Sequence, residues 1–309
     1  MRKFLSVLLA ALTLFGMVFT TSCGKTGIYA AAQEFVPDYS NEQKKEGIYE
    51  EVDEWGRKTV EEYNKDGYLV KSTVTTKYGD QYCWEYEYTS DGKCAKMVIK
   101  YPSEELPEVY VITYNENGSL AEINYENVCL YAEDGEPVYM SKRVFTYDKS
   151  GKIISDVFCR ADNGEAFLNI EYTYDELKHK ITKTESREGK LDCVTDRYYS
   201  STWKQRGLET HDANGKLTAK DEYYENGNLK YQMRLFSWGG SFKTHFDENG
   251  KEIESFSLDD EGNETERTTS EYDDAGNLIK KTTYDATGNL IKETTYDANG
   301  NVVDSKTYD

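Results

Sequence analysis

Apolar and polar residues alternate over short segments along most of the chain. Between Tyr82 and Tyr88 every even-numbered residue is aromatic, while the odd-numbered ones are a cysteine and two glutamates, and Leu168–Tyr174 alternates in the same way. Successive side chains of a β-strand point to opposite faces, so this alternation predicts strands with one packed face and one wet face. No segment after Phe19 has a long helical period. The pattern therefore predicts an all-β protein.

A repeated motif separates these strands. Near the C-terminus, Tyr272–Leu278, Tyr284–Leu290 and Tyr296–Val302 follow one another every 12 residues. Their shared frame is an aromatic residue, Asp or Asn, two variable residues, Gly, one further residue and an apolar residue. A fixed period of this kind is typical of repeat architectures. Further copies of the frame, the last two looser than the others, are Tyr63–Leu69, Tyr114–Leu120, Tyr147–Ile153, Tyr88–Cys94 and His211–Leu217.

The residue types of the motif predict a hairpin loop. Asp or Asn accepts hydrogen bonds from the backbone just after it, and Gly adopts the positive φ that such loops need. A loop of about five residues then joins two strands of about seven, such as Leu290–Tyr296, which is rich in β-branched and aromatic residues. The aromatic residue before each loop and the apolar residue after it are expected to meet across the hairpin.

The motif predicts a long antiparallel meander of tandem repeats. Loop glycines, together with turn-like sequences at Pro102–Pro107, Tyr174–Leu177 and Ser200–Thr202, mark loops throughout the chain and predict about 20 short strands. Open sheets rarely exceed about 10 strands without curling or splitting, so we expect a coiled or layered sheet. Lys280 and Lys292 fall on the Leu/Tyr face, so the C-terminal units should be packed least.

The N-terminus resembles a bacterial lipoprotein signal. Arg2 and Lys3 precede an apolar run that ends at Phe19, and small residues then lead to Cys23. Thr20 stands where such signals usually have leucine. The resemblance implies that residues 1–22 are removed and that Cys23 carries the lipid. We therefore divide the chain into a signal peptide (1–22), a lipid anchor and tether (23–46) and a repeat domain (47–309), exposed outside the cytoplasm on the cell envelope.

The three C-terminal units resemble the YD repeats of the RHS family. The match is specific at Tyr272, Tyr284 and Tyr296 and weaker over residues 47–265. In that family such repeats form extended, coiling β-sheet on secreted or surface proteins, and carbohydrate binding is often proposed for them. The shell and toxin of its large members do not carry over to this chain. The short stretch Tyr223–Tyr231 is also similar to MORN-type repeats, which occur in some bacterial antitoxin-like proteins.

Composition limits the partners of the chain. It has 309 residues, 57 of them acidic and 37 basic, for a net charge of −20. This balance argues against binding nucleic acid, which needs clustered Lys and Arg. The 27 tyrosines are largely the aromatic residue of the repeat, and most are expected in the core. If any aromatic residues form a ligand platform, Trp84 with Tyr86, and Trp238, are the first candidates.

The sequence predicts no catalytic residue, metal site or cofactor. His211 occupies the aromatic position of a repeat, and neither His179 nor His245 has a nucleophile or acid at a suitable spacing. The Asp-x-Asn-Gly loops lack the first ligand of an EF-hand, so their carboxylates are read as solvated turn residues. The five cysteines after the signal form no zinc-binding spacing and are expected to be free thiols.

These observations predict a non-catalytic, lipid-anchored envelope protein that acts as a binding or display module, with a glycan or another envelope protein as its partner. The first alternative is an immunity or antitoxin-like lipoprotein that captures a secreted toxin through its acidic face. That alternative predicts a basic partner and binding that weakens with salt. An envelope hydrolase is a third reading, and it would need converging carboxylates or a histidine beside a nucleophile.

Overall fold

The computed structural model describes residues 43–132, 135–236 and 239–308, and their regular structure is entirely β. Twenty-two short strands follow one another, confirming the prediction of an all-β chain with about 20. The strands are β1 (Gly47–Val52), β2 (Lys58–Tyr63), β3 (Leu69–Thr75), β4 (Gln81–Tyr88), β5 (Cys94–Lys100), β6 (Glu108–Tyr114), β7 (Leu120–Glu126), β8 (Cys129–Tyr131), β9 (Pro137–Tyr147), β10 (Ile153–Arg160), β11 (Ala166–Asp175), β12 (Lys180–Arg187), β13 (Lys190–Tyr199), β14 (Gln205–Asp212), β15 (Leu217–Tyr223), β16 (Leu229–Leu235), β17 (Ser241–Phe246), β18 (Glu252–Leu258), β19 (Glu264–Tyr272), β20 (Leu278–Asp285), β21 (Leu290–Tyr296) and β22 (Val302–Thr307).

The strands form an antiparallel meander that falls into two compact units. One unit contains the described residues up to Lys142 and the other those from Arg143 onward, so the division lies within β9. In both units, most strands that follow one another along the chain are paired antiparallel, as β4 is with β5 and β11 with β12, and β7 pairs with β9 across the short β8. Within the described part of the chain, no helix is long and apolar enough to cross a membrane.

The first unit packs the face that alternation predicts. Tyr86 in β4 lies opposite Met97 in β5, and Ile112 in β6 lies opposite Ile123 in β7. All four side chains are buried, Ile123 completely. The neighbours of Tyr86 in β4, Glu85 and Glu87, lie on the opposite face, where Lys100 donates to Glu85 and Lys96 donates to Glu87. One face is therefore packed and the other is wet.

The second unit is apolar at its start and polar toward its end. Ile153, Phe167 and Ile181 are buried almost completely, and no described residue after Tyr199 is a buried hydrophobic. The buried residues of the later strands are instead polar: Asp221, Thr244, Ser255, Thr282 and Thr294. Every residue of β22 is exposed. The prediction that the C-terminal units are packed least is confirmed, because β-sheet there buries short hydroxyl side chains in place of aliphatic ones.

The loops have the predicted hairpin geometry. In the loop after Tyr284, the Asp285 backbone N–H donates to Asn289 O at 2.9 Å, and Gly288 N–H donates to Asp285 O at 3.0 Å. Gly288 has a φ of +87°. These bonds define a type I turn closed by a glycine bulge. The aromatic and apolar residues that flank the loop, Tyr284 and Leu290, are partners in the strand register, as predicted.

Candidate functional site

At several loops the aromatic residue of the repeat is tied to the loop two strands earlier. Loops of a meander alternate between the two ends of its strands, so loops two apart are neighbours at one end. Tyr114 donates its hydroxyl to Cys94 O at 2.9 Å, and Tyr272 donates to Glu252 O at 2.7 Å. Tyr88 makes the same bond to Leu69 O. The repeat therefore favours tyrosine over phenylalanine at this position because the hydroxyl satisfies a backbone carbonyl of the neighbouring loop.

The residue after the glycine covers the ring of that tyrosine. Lys93, which follows Gly92, places its ammonium 5.3 Å from the centre of the Tyr114 ring, and Lys251 lies 5.2 Å from that of Tyr272. At these distances a cation is attracted to the face of the ring. These two tyrosine rings are therefore covered by a neighbouring lysine and are not open platforms.

Tyr68 stands at the position that holds this lysine in loops such as those of Lys93 and Lys251. Its ring stacks on Tyr88, with 4.8 Å between ring centres and 24° between ring planes. Gly92 lies beneath it, and a Cβ there would collide with the Tyr68 hydroxyl. Gly92 also has a φ of +83°, so the loop needs glycine for its backbone and for this close approach. Because this loop has tyrosine in place of lysine, Tyr68 and Tyr88 form an aromatic pair.

A cleft opens beside this aromatic pair, within the first unit. Its volume is about 530 Å³. Its lining combines aromatic rings with amide, carboxyl and hydroxyl groups, contributed by Asn64, Asp66, Tyr68, Tyr86, Tyr88 and Ser90. The accessible lining is mostly polar, and the aromatic rings add apolar faces to it, which suits a ligand with both kinds of surface, as a sugar ring has. We refer to these six residues as the tyrosine cleft.

The structure places the predicted platform residues differently from one another. Tyr86 is 9% exposed and packs in the core, and burial raises the pKa of its hydroxyl. Trp84 is half-buried and stacks on Tyr82 with 6.4 Å between ring centres. Trp238 lies outside the described residues, as does the lipid-attachment residue Cys23. Of the two that the structure describes, Tyr86 lines the cleft and Trp84 does not, and the platform role of Trp84 and Trp238 stays a prediction.

Sequence reasoning missed Tyr68 and Tyr88 as a pair. The available signal was the position after the glycine, where Tyr68 departs from the lysines and asparagines of most other loops. The two tyrosines are 20 residues apart in the sequence, and only the pairing of loops two strands apart brings them together. Aligning each loop with the loop two strands away, and comparing the residues at matching positions, would have pointed to this pair.

The histidines lie in separate places in the second unit. His211 occupies the aromatic position of its repeat and pairs with Leu217 in the strand register, as predicted. His245 lies between Tyr231 and Phe256, with ring centres 5.1 Å and 6.0 Å away. His179 contacts Trp203. Across the residues that the structure describes, no group of three or more His, Cys, Asp or Glu is arranged to hold a metal ion.

The loop carboxylates bond to their own loops. Asp285 accepts hydrogen bonds from the backbone N–H groups of Thr287 and Asn289 at 2.9 Å and 2.8 Å. The Asn289 side-chain amide, these N–H groups and the Thr287 hydroxyl lower the Asp285 pKa to about 2. Asp247 and Asp297 make the same two backbone bonds. The acidic residue that begins each loop therefore builds the turn.

The five described cysteines, Cys83, Cys94, Cys129, Cys159 and Cys193, are free thiols, as the sequence analysis expects. Cys94 takes the apolar position of a repeat and is 3% exposed. Burial raises the pKa of its thiol to about 11, so the reactive thiolate is scarce at neutral pH. Cys94 therefore acts as a packing residue.

Comparison with known proteins supports the resemblance to MORN-type repeats. A family model described as a MORN repeat variant matches residues 222–236, which include the whole stretch Tyr223–Tyr231. No curated protein matches the chain.

Solved structures give likenesses at low identity. The crystal structure of TcdB2-TccC3-Cdc42 is 12% identical, with a TM-score of 0.37 over 84% of this chain and 18% of that chain. The Tc holotoxin pore of Photorhabdus luminescens is 15% identical, with a TM-score of 0.29 over 81% of this chain and 15% of that chain. A porin-like protein from Bacteroides uniformis is 12% identical, with a TM-score of 0.35 over 68% of this chain and 91% of that chain. The chain thus spans less than a fifth of the two toxin chains.

Proposed function

We propose that the chain is a lipid-anchored, non-catalytic binding protein of the bacterial cell envelope, whose repeat β-sheet binds an envelope glycan. Cys23 carries the lipid, and the repeat region, of the RHS/YD type, stands outside the cytoplasm. Another envelope protein is the other partner that the sequence analysis admits. The tyrosine cleft is the observation that carries the proposal.

The cleft supports glycan binding because its tyrosines depart from the covered arrangement of the other loops. At Tyr114 and Tyr272 a lysine lies over the ring. At Tyr88 the cover is a second tyrosine, Tyr68, and both rings line an open cleft with Asn64 and Asp66. The fold alone does not require this, since lysine performs the covering elsewhere. Aromatic stacking combined with hydrogen-bonding groups fits a sugar.

A glycan array with the full chain in detergent tests this proposal. Binding to a set of envelope glycans is expected, and Tyr68→Lys should weaken it by about tenfold or more, since loss of one stacked aromatic ring costs about 1–3 kcal/mol. Tyr68→Lys introduces the residue that Lys93 and Lys251 provide at this position of their loops, so it should keep the fold. The matched control is Tyr114→Phe, which changes a covered tyrosine of the same unit and should bind as the unaltered chain does.

Two results would contradict the proposal. One is an array on which no glycan is bound. The other is binding that survives Tyr68→Lys undiminished, which would remove the tyrosine cleft as the site. A pull-down from envelope extract, run in parallel, tests for a protein partner. If one protein is captured stoichiometrically and no glycan is bound, that protein and not a glycan is the ligand.

The immunity or antitoxin-like alternative is favoured by charge and by the MORN match. Removal of residues 1–22 takes away Arg2 and Lys3 and no acidic residue, so the net charge changes from −20 to −22. A basic toxin would be attracted to such a surface. In the pull-down this alternative predicts a basic partner that is released as salt rises, whereas glycan binding by stacking depends little on salt.

The lipid anchor has its own test. Membrane fractions should contain the unaltered chain, and Cys23→Ser should release it, because only the thiol can carry the lipid. Cys94→Ser is the matched control, since Cys94 is a packing residue and its change should leave the chain on the membrane. A Cys23→Ser protein that stays membrane-bound would refute the anchor.

A further inference from the structure

A second loop pair, in the second unit, departs from the repeat in another way. Among the described residues, four that are not glycine have a positive φ, and two of these, His179 and Trp203, contact each other. Their φ values are +48° and +60°. Side chains with a Cβ rarely adopt this region, and for a bulky residue it is strained. Strained backbone concentrates at functional sites.

Trp203 occupies the glycine position of its loop. Its N–H donates to Ser200 O at 2.9 Å, and Ser200 N–H donates to Lys204 O at 2.8 Å. Those are the bonds that Gly288 and Asp285 make in their loop. Glycine would adopt this backbone without strain. The loop therefore holds a tryptophan at the one position where the fold most favours a residue without a side chain.

Packing accounts for only part of the Trp203 ring. The ring lies 5.7 Å from that of Tyr199 and 5.2 Å from that of His179 by ring centres, and it packs against the buried Ile181 and Tyr199, yet the residue is only half-buried. Elsewhere the chain covers such tyrosines from the position after the glycine, as Lys152 covers Tyr174 at 5.1 Å. Covering a tyrosine ring therefore does not by itself require a tryptophan in a strained backbone conformation.

The loop that carries Trp203 is basic, although the chain as a whole is acidic. The loop and strand start from Ser200 to Arg206 contain Lys204 and Arg206 and no acidic residue. Lys204 is exposed. Beside His179, the Lys178 side chain is 75% exposed, with Asp175 3.3 Å away. Arg206 reaches the highly exposed Glu225 at 3.7 Å. The exposed Lys204 thus follows the aromatic ring directly in the chain, while the nearby Lys178 and Arg206 have carboxylate partners.

We propose that His179, Trp203 and Lys204 form a binding site for a saccharide that carries a single terminal carboxylate, such as a uronic or sialic acid residue. The Trp203 ring stacks on the sugar and Lys204 binds the carboxylate. A polyanion is disfavoured because the rest of the chain is strongly acidic. A single charge is not, because at physiological ionic strength charges more than about 8 Å away are largely screened. This site rests on the proposed glycan-binding function. It adds a second saccharide-binding site, which prefers sugars that carry a carboxylate.

The test measures binding of the full chain to oligosaccharides that each end in one uronic or sialic acid, beside the methyl ester of each. The acids should bind about tenfold more tightly than their esters, since an ionic hydrogen bond is at stake. Lys204→Gln should abolish that preference and leave ester binding unchanged. Trp203→Gly should weaken acids and esters alike by about tenfold or more, and because glycine fits this backbone, the loop keeps its fold.

A matched control and the overturning outcomes complete the design. Trp55 is 62% exposed, and Arg57 lies 5.2 Å from its ring centre, so Trp55→Ala also removes an aromatic ring beside a cation. It should leave binding unchanged. Acids bound no better than esters, or binding that survives Trp203→Gly, would overturn this site while glycan binding at the tyrosine cleft stands. Absence of all glycan binding would overturn both, and weakening by Tyr68→Lys but not by Trp203→Gly would assign the ligand to the cleft alone.

Discussion

The hydroxyl of the repeat tyrosine should contribute to stability only where it reaches the neighbouring loop. Tyr272 and Tyr284 occupy the same position of successive repeats, yet Tyr272 donates to Glu252 O at 2.7 Å and Tyr284 has no hydrogen bond from its hydroxyl within the described residues. Both rings have a cation over them, at 5.2 Å and 5.0 Å. Tyr272→Phe and Tyr284→Phe therefore remove the same atom from closely similar surroundings and differ in the bond alone.

The expected cost of Tyr272→Phe is about 1 kcal/mol, the usual net value of one intramolecular hydrogen bond. Amide hydrogen exchange of β18 and β19 should then become about fivefold faster, since about 1.4 kcal/mol corresponds to a factor of ten. Tyr284→Phe should leave exchange in β20 and β21 within experimental scatter. Hydrogen exchange is preferred to a single melting temperature because repeat arrays can open locally. Equal effects of the two changes, or a larger effect at Tyr284, would refute the bond as the reason for tyrosine.

Three further outcomes are expected. Asp156 is fully buried, and Arg143 donates to it through Nε at 2.7 Å. Asp156→Ala leaves the arginine without this partner and should lower the free energy of unfolding, measured in urea, by about 3–5 kcal/mol. The double change Asp156→Leu with Arg143→Met removes both charges and should restore most of that loss. The Asp285 carboxylate, with its pKa lowered to about 2 from 3.8, should stabilise its loop fully above pH 4 and lose this contribution as pH falls to 2; an NMR titration midpoint near 3.8 would contradict the loop bonds. Amides of β20–β22 should exchange faster than those of β4 and β5, since their strands bury no large apolar side chain; slower exchange there would show that polar packing suffices.

The local pattern of the chain predicts the strands and loops because each is determined within about 12 residues. Tyr284 and Leu290 are six apart, and the loop between them is closed by Asp285 and Gly288, so their pairing follows from the motif. Even the loops without glycine are found where the sequence shows turn-like residues, as between Ser200 and Lys204. Short-range hydrogen bonding decides these features, and the sequence displays it directly.

Contacts between loops two strands apart are not visible in the motif. Tyr272 meets Glu252 and Lys251 across 20 and 21 residues, and which atoms meet depends on strand twist and register. The same holds for the tyrosine cleft. Trp84 and Tyr86 are predicted together as a platform from the sequence, whereas the burial of each depends on how the face of the sheet that carries it packs. Tyr86 faces Met97 and is therefore inside.

The two-strand spacing of these contacts explains where a repeat protein can carry function. Each loop is stabilised by its own turn and by the loops two strands before and after it, so a change in one loop is felt mainly by its neighbours. A residue that breaks the pattern can then persist at a local cost. Tyr68 keeps the covering role of lysine and adds an aromatic ring, while Trp203 accepts strained backbone to place a ring beside Lys204. Departures of this kind, which the fold tolerates but does not require, are the positions at which binding is expected.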